Sequence, residues 1–213
     1  YGKEIIVYTL EHFQKHKDID AIVVACVADW IPFLEELLEK YQLTKVVKVV
    51  PGGETGQDSI YAGIEAAHQI TSDEKSVVLI HDGVRPLIEA KTITDCLECV
   101  KENGTAITVA PAIETIIRVN EEACISDVIE RSSCLMARAP QCFYLNEIYQ
   151  AHLKAREENR HDFIDSATLM KHYGHSLSVV QGPVENIKIT TPMDYYTFKA
   201  LSEARENLQL YGN

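Results

Sequence analysis

Residues 76–86 read SVVLIHDGVRP, a run of apolar residues that ends abruptly in a polar turn. A short apolar run rich in β-branched residues is typical of a strand that is buried on both faces. Asp82 and Arg85 follow this strand, and ligands of open α/β sheets bind just beyond the carboxyl ends of strands. The stretch therefore predicts an α/β protein with a binding site at this edge of its sheet.

The same alternation of apolar runs and amphipathic stretches continues along most of the 213 residues. It predicts strands at residues 21–26, 46–50, 76–80, 106–110 and 177–181. It predicts helices at residues 31–41, 58–70, 91–102, 145–158 and 165–173, and a last helix that starts after Thr191. Strand–helix alternation indicates a mostly parallel sheet with helices on both faces. Because no linker interrupts the pattern, we predict one domain over residues 1–213.

The composition is that of an acidic globular protein. Acidic residues outnumber basic ones by 32 to 20, which gives a formal charge of −12, and 46% of the residues are hydrophobic. These values argue against a disordered chain and disfavour nucleic acid or an anionic membrane as partners. No apolar run approaches the roughly 20 residues that span a bilayer. A small basic pocket for a phosphorylated metabolite remains compatible with this charge.

Six scattered cysteines favour a reducing compartment, and we expect the protein in the cytoplasm. Cys96 and Cys99 form a CxxC pair, a spacing also used by redox and zinc sites. No second pair at zinc spacing accompanies it, and residues three apart share one face of the predicted helix. We therefore interpret the pair as structural.

Residues 114–143 break the alternation of strands and helices. They read as short extended pieces, ETIIRV, CISDVIE and CLMARAPQCF, without a convincing helix. Such an insertion is typical of a β-hairpin arm, whose apolar residues need another surface to pack on, for example a second subunit. An antiparallel extension of the main sheet explains the pattern equally well.

A glycine-rich loop, PGGETGQDS, follows the strand predicted at residues 46–50 and leads into a helix. Its glycines allow close approach of a ligand, and the helix start offers free N–H groups to an anion. The alternative is a tight loop in which Asp58 or Ser59 caps the helix. The loop matches neither the Walker A nor the GxGxxG motif.

Charged residues follow two further strands. Asp82 can hold Mg²⁺ together with phosphate oxygens, and Arg85 can bind a phosphate. Alternatively the segment is a capped turn that ends at Pro86, or His81 and Asp82 belong to a metal phosphohydrolase, which would need further ligands on helices. Lys188 alternates with two isoleucines, so it projects either into a site or from an edge strand as a solubilising lysine.

In this order and spacing, the segments GKEII, GGETGQDS, HDGVRP, ARAPQCF and NIKITTPMD resemble the sugar-alcohol-phosphate cytidylyltransferases over nearly the whole chain. That family includes the 2-C-methyl-D-erythritol 4-phosphate enzymes of isoprenoid synthesis and the ribitol 5-phosphate enzymes of teichoic-acid synthesis. The resemblance implies a three-layer, Rossmann-like nucleotide-diphosphosugar-transferase fold and a homodimer joined by the β-arm. It also implies Mg²⁺-dependent transfer of CMP from CTP with release of pyrophosphate.

The resemblance further implies roles for individual residues. The nucleotide-binding positions are Gly53, Glu54, Ser59 and Gly83. The metal position is Asp82. The sugar-alcohol phosphate is bound by Arg85, Thr115, Arg131, Asp165 and Lys188, with Thr115 and Arg131 reaching across from the arm of a partner subunit. The residues that act in catalysis are Lys188, which steadies the α-phosphate, Arg85 and Arg131.

The chemistry of this transfer calls for charged side chains rather than an acid–base pair. A phosphate monoester is mostly dianionic at pH 7, because its second pKa is about 6, and it needs no base to attack the α-phosphate of CTP. The protein has to screen two anions from each other and align them, which Lys, Arg and Mg²⁺ can do.

Three features depart from the family pattern. The family's glycine-rich signature with its arginine, and the following Pro-Lys-Gln segment, normally precede GKEII and are not found in residues 1–213. Without this segment the sheet would also lack its first strand, so we expect the segment upstream of Tyr1. Gly56 stands where the family often has arginine, and Ile164 replaces a frequent threonine beside Asp165.

Val84 favours the ribitol 5-phosphate branch, whose product is CDP-ribitol, because the methylerythritol branch usually has alanine at this position. The alternative product is 4-diphosphocytidyl-2-C-methylerythritol. A catalytically inactive homologue is the alternative from another class of protein, and it predicts CTP binding without pyrophosphate release.

Overall fold

The computed structural model describes residues 2–211, with side chains through residue 207. Within that range the helices are α1 (Ile5–Lys15), α2 (Ile31–Lys40), α3 (Gly56–Ile70), α4 (Ala90–Asn103), α5 (Leu145–Glu157), α6 (Ser166–His172) and α7 (Pro192–Tyr211). The strands are β1 (Ile22–Cys26), β2 (Val46–Pro51), β3 (Val77–Ile80), β4 (Thr105–Pro111), β5 (Ile116–Val119), β6 (Ile125–Ile129), β7 (Leu135–Tyr144) and β8 (Val179–Gln181).

The predicted α/β fold is confirmed. Each of the five predicted strands and the five bounded helices is present, and its ends lie within two residues of the prediction. The pattern misses α1, because the helix opens with the β-branched run Ile5–Val7, which favours a strand locally. Burial of Val7, Leu10 and Phe13 outweighs that preference.

The central sheet has the strand order β3-β7-β4-β8. Strands β3, β4 and β8 run in one direction, whereas β7 lies antiparallel between β3 and β4. In this register Ile80 of β3 faces Gln141 of β7, which matters for the site. A separate parallel pair, β1 and β2, continues the α/β pattern.

The segment at residues 114–143 divides into two different structures. Residues 116–129 form the hairpin β5–β6, whose strands pair with each other as a sheet of their own, and we call this hairpin the arm. Residues 135–144, as β7, extend the central sheet, and residues 139–143 are buried there. The β-hairpin interpretation thus describes residues 116–129, and the interpretation as an antiparallel extension of the sheet describes residues 135–144.

The core lies on both faces of the central sheet. On one face Phe143 packs with Ile148, Leu169 and Met170 from α5 and α6. Complete burial of such side chains contributes about 1.5–3 kcal/mol each. On the other face Cys96 of α4 packs against the sheet, so the CxxC pair lies on a helix as interpreted from the sequence.

The last helix begins as the sequence predicts. Thr191 Oγ1 accepts a hydrogen bond from Asp194 N at 3.3 Å, and Asp194 Oδ2 accepts one from Thr191 N at 2.8 Å. The buried Phe198 then holds α7 against Leu87 and Ile189. In the part of the chain described here, none of the helices combines the length and the apolar character needed to cross a membrane.

Candidate active site

One acidic and two basic side chains lie together beyond the ends of β3 and β8, and we call them the charge cluster. Asp82 Oδ2 accepts a hydrogen bond from Arg85 Nε at 2.8 Å, and Lys188 Nζ lies 2.9 Å from Asp82 Oδ1. Both carboxylate oxygens are therefore engaged. The structure thus brings two residues of the HDGVRP motif together with Lys188, which lies about 100 residues further along the chain.

The electrostatics keep Asp82 ionised. Burial alone would raise the pKa of this carboxyl group, but the hydrogen bonds and charges of Arg85 and Lys188 outweigh burial and hold it below its ordinary value. The Arg85 side chain is only 11% exposed, compared with 48% for Lys188. Arginine is thus the fixed cation of the cluster, and lysine is the accessible one.

The loop that carries Lys188 is fastened to the HDGVRP loop. Arg85 Nη1 donates a hydrogen bond to the Asn186 carbonyl oxygen at 2.9 Å, and Ile189 N donates one to Val84 O at 2.9 Å. Residues 187–189 are described and do not form a strand, so the interpretation of Lys188 as an edge-strand residue is wrong. Lys188 is held in place by side-chain and backbone contacts between two loops.

Helix α1 packs beneath the HDGVRP loop and holds two of its carbonyl groups. Thr9 Oγ1 donates a hydrogen bond to Gly83 O at 2.8 Å, and His12 Nε2 donates one to Pro86 O at 3.0 Å. A Cβ atom on Gly83 would lie only 2.6 Å from Ile6 Cδ1. A side chain at residue 83 would therefore require the end of the Ile6 side chain to move.

His81 holds the same loop from within. Its Nε2 donates a hydrogen bond to Arg85 O at 3.1 Å, and its Nδ1 is buried without a partner. Burial lowers the pKa of His81 to about 4 and also lowers the pKa of His12, so both rings are neutral at pH 7. The phosphohydrolase alternative needs His81 as a metal ligand, whereas the structure uses it to shape the loop.

The glycine-rich loop is closed by its own polar groups. Ser59 Oγ accepts a hydrogen bond from Gly53 N at 3.1 Å, and Thr55 Oγ1 accepts one from Asp58 N at 3.1 Å. Thr55 is therefore the helix cap, and the expectation that Asp58 or Ser59 caps α3 is wrong. A Cβ atom on Gly53 would lie 2.3 Å from Asp58 Cβ, and Glu54 projects into solvent.

Asp165 lies at the start of α6 and is tied to the central sheet. Its Oδ1 accepts a hydrogen bond from Thr168 N at 2.8 Å, and its Oδ2 accepts one from Gln141 Nε2 at 2.9 Å. Gln141 is paired with Ile80, which immediately precedes the HDGVRP loop. Burial would raise the pKa of Asp165, but these hydrogen bonds lower it overall.

The two residues that were predicted to reach a partner subunit, Thr115 and Arg131, flank the arm. Thr115 and Arg131 are both exposed, and Arg131 Nη1 donates a hydrogen bond to Ile113 O at 3.1 Å. Among the described residues, neither makes a hydrogen bond or ion pair to a member of the charge cluster. One chain therefore brings together only part of the predicted sugar-phosphate site.

The family model for 2-C-methyl-D-erythritol 4-phosphate cytidylyltransferase matches residues 1–203. The chain belongs to this cytidylyltransferase family.

Several relatives of this cytidylyltransferase differ in their named substrate. A ribitol-5-phosphate cytidylyltransferase of Streptococcus agalactiae serotype V is 51% identical over 212 residues, which cover 100% of this chain and 88% of the relative. A protein of the same name from Vibrio parahaemolyticus is 49% identical, with 100% and 89% covered. A 2-C-methyl-D-erythritol 4-phosphate cytidylyltransferase of Clostridium botulinum is 36% identical, with 91% and 82% covered.

Solved structures agree with the fold of the cytidylyltransferase. The 4-diphosphocytidyl-2C-methyl-D-erythritol synthase of Anaerococcus prevotii superposes with a TM-score of 0.83 at 24% identity, and 94% of this chain and 87% of that chain are covered. The 2-C-methyl-D-erythritol 4-phosphate cytidylyltransferase of Thermus thermophilus gives a TM-score of 0.77 at 27% identity, with 95% and 90% covered.

Asp82 is the carboxylate of the charge cluster that the resemblance assigns to a metal. The described residues contain no group of three or more His, Cys, Asp or Glu side chains placed to hold a metal. Mg²⁺ commonly binds through one or two carboxylates, with substrate phosphates and water as its other ligands. Asp82 would supply such a carboxylate oxygen once Lys188 Nζ has left its Oδ1.

The structure adds residues of the cytidylyltransferase site that sequence reasoning missed. They are Thr9, His12, Gln141 and Asn186. Gln141 lies in the ARAPQCF segment, where a polar residue inside an otherwise buried strand was an available signal. The residues on α1 gave no such signal, because their partners are far away in the sequence.

Proposed function

We propose that this cytidylyltransferase transfers CMP from CTP to D-ribitol 5-phosphate, forming CDP-ribitol and releasing pyrophosphate. The observation that supports this substrate is the difference in sequence identity to the two kinds of relative. The chain is 51% identical over its whole length to a ribitol-5-phosphate enzyme and 36% identical to a methylerythritol enzyme. Val84 in the HDGVRP loop favours the same branch.

The charge cluster supports this reaction through positioning and screening. Arg85 donates hydrogen bonds from Nε to Asp82 and from Nη1 to the Asn186 carbonyl oxygen, which leaves its Nη2 group for a phosphate. Lys188 is accessible, and its ammonium group can move from Asp82 to the α-phosphate as the reaction proceeds. The dianionic sugar phosphate then attacks in line without a general base.

We propose Mg²⁺ as the cofactor, held by Asp82 together with nucleotide phosphates. When bound, it would neutralise part of the charge of the triphosphate. The nucleotide would lie against the loops that carry Gly53, Glu54, Ser59 and Gly83. The absence of a side chain at Gly53 and Gly83, where a Cβ atom would meet the side chains of Asp58 and Ile6, supports this.

We further propose a homodimer in which the arm reaches the site of the partner subunit. The arm and its base expose apolar side chains of Ile113, Ile117, Val119, Ile125, Val128 and Leu135. A two-stranded hairpin is marginally stable by itself in water, so this surface calls for a partner. Thr115 and Arg131 would then complete the sugar-phosphate site in trans. The six free cysteines support a cytoplasmic location.

Pyrophosphate release by the full-length protein tests the function. With CTP and Mg²⁺, we expect turnover with ribitol 5-phosphate at least about tenfold more efficient than with 2-C-methyl-D-erythritol 4-phosphate. Chelation of the metal should stop it. A reversed preference would assign the protein to the methylerythritol branch. Silence with both substrates, in a folded protein that binds CTP, would support the inactive homologue.

A further inference from the structure

Arg138 is a cation without a counter-ion. It lies on β7, where the chain is only partly exposed, and no carboxylate in the described part of the chain forms an ion pair with it. Burial, together with the positive charge of Arg85, lowers the pKa of its guanidinium group. A half-buried cation that faces another cation is unfavourable unless an anion joins them.

Hydrogen bonds connect Arg85 to the backbone of β7 beside Arg138. Arg85 Nη1 donates to the Asn186 carbonyl oxygen at 2.9 Å, and the Asn186 side chain donates from Nδ2 to Ala139 O at 3.4 Å. Ala139 directly follows Arg138 in β7. Asn186 is 1% exposed, so this connection is fixed within the protein rather than formed by mobile surface groups.

The local charge is positive in a protein that is strongly negative overall. Arg85, Lys188 and Arg138 contribute three positive charges, and Asp82 alone offsets them by ion pairing. The nearby Asp165 carboxylate is occupied by hydrogen bonds from Thr168 and Gln141. A dianionic phosphate group would supply the negative charge that balances these three cations.

We propose that Arg138 binds the phosphate group of the acceptor substrate, side by side with Arg85. This inference deepens the proposed function, because the sugar-alcohol phosphate would supply that group. Two guanidinium groups can share the oxygens of one phosphate and fix its orientation, which a single arginine does less well. Arg138 thus gives this site a second arginine from the same chain for the phosphate that attacks CTP.

The test compares Arg138→Gln with Arg138→Lys and with Lys91→Gln. Lys91 is an exposed, ion-paired residue of α4, so Lys91→Gln removes one positive charge away from the site. We expect Arg138→Gln to weaken the binding of ribitol 5-phosphate and of inorganic phosphate, measured by calorimetry without CTP, by roughly 10- to 100-fold. Arg138→Lys should recover part of this loss, and Lys91→Gln should bind both anions like the wild type.

Kinetics and stability distinguish this role from a structural one. In Arg138→Gln, the KM for ribitol 5-phosphate should rise while the KM for CTP stays within about twofold of the wild type. The melting temperature of the ligand-free variant should not fall, because the substitution removes a repulsion. Inorganic phosphate should raise the melting temperature of the wild type more than that of the variant.

Three results would overturn the proposal. They are wild-type affinity of Arg138→Gln for both anions, a rise in the KM for CTP instead, or a large loss of stability with no change in anion binding. If ribitol 5-phosphate gives no turnover but phosphate binding still falls in Arg138→Gln, the anion role of Arg138 stands and the substrate assignment fails.

Discussion

The charge cluster and the arm are built in opposite ways. In the cluster, Asp82, Arg85 and Lys188 satisfy one another, and the loops that carry them are joined to α1 and β7 by hydrogen bonds. In the arm, two strands pair with each other as a sheet of their own, and large apolar side chains face solvent.

This difference divides the proposed site into two parts. The charge cluster is formed within one chain, whereas the arm would contribute only in the proposed dimer. Charges that are fixed before the substrate arrives need no reorganisation during the reaction, which makes them effective in catalysis. The arm residues have no such fixed surroundings within one chain. We therefore expect the cluster to control turnover, and the arm to control assembly and acceptor binding.

Lys188→Ala should have the largest effect. Loss of the charge that stabilises the α-phosphate is expected to lower kcat by roughly 10²–10³, as measured by pyrophosphate release. CTP binding by the variant, followed by calorimetry, shows whether the nucleotide site is intact. Turnover close to that of the wild type would remove Lys188 from the mechanism.

Val128→Glu should break the assembly. Val128 projects from β6 and is 61% exposed, so a glutamate there would place a charge in the proposed interface and weaken the dimer by about 100-fold. Sedimentation velocity measures the change in mass. Val47→Glu, at an exposed position of β2 outside the arm, is the matched control and should leave the dimer unchanged. A wild-type protein that is monomeric at all concentrations would contradict the dimer.

Arg131→Ala should act mainly on the acceptor. We expect the KM for the sugar-alcohol phosphate to rise by roughly 10- to 100-fold, with a smaller change in kcat, because one charged hydrogen-bond donor is lost.

Mixed dimers show whether Arg131 acts across the interface. A heterodimer of Arg131→Ala and Lys188→Ala chains would retain one complete site if the arm acts in trans, and so about half of the wild-type activity. If both groups act within one chain, both sites are damaged. No recovery in verified heterodimers would then count against the shared site.

The smallest expected effect is the acid dependence of stability at Asp165. The folded pKa of this residue lies below its unfolded value of about 3.9, so its stabilising contribution is present above that pH and is lost as the pH falls through the folded pKa. Asp165→Asn keeps a capping side chain but removes the charge.

Chemical denaturation from pH 7 to pH 2 measures this contribution. We expect Asp165→Asn to be less stable at pH 7 by at most about 1 kcal/mol, because solvent screens the half-buried carboxylate. The difference should vanish at low pH, and Glu102→Gln on the exposed face of α4 serves as the control. A difference that does not change with pH would show that the charge of Asp165 contributes nothing.

The sequence predicts what depends on nearby residues. Apolar periodicity located the strands and helices, and the rule that ligands bind at strand ends located Asp82, Arg85 and Lys188. It could not predict that β7 inserts antiparallel between β3 and β4, since pairing partners are set by tertiary packing. For the same reason it gave no role to Arg138, whose proposed role rests on the approach of Arg85. The cap of α3 was misplaced because Thr55, Asp58 and Ser59 are all suitable capping residues.

The hold of α1 on the HDGVRP loop has a consequence for synthesis of the protein. Thr9 and His12 are made early, but the carbonyl groups that they bind lie 74 residues further along the chain. These hydrogen bonds of the helix can therefore form only after the loop has left the ribosome, and Lys188 emerges later still. Contacts between such distant residues form late in folding. The loop at the centre of the charge cluster is thus finished only when most of the chain has been translated, and a nascent chain that stalls before the loop would leave Thr9 and His12 without these hydrogen-bond partners.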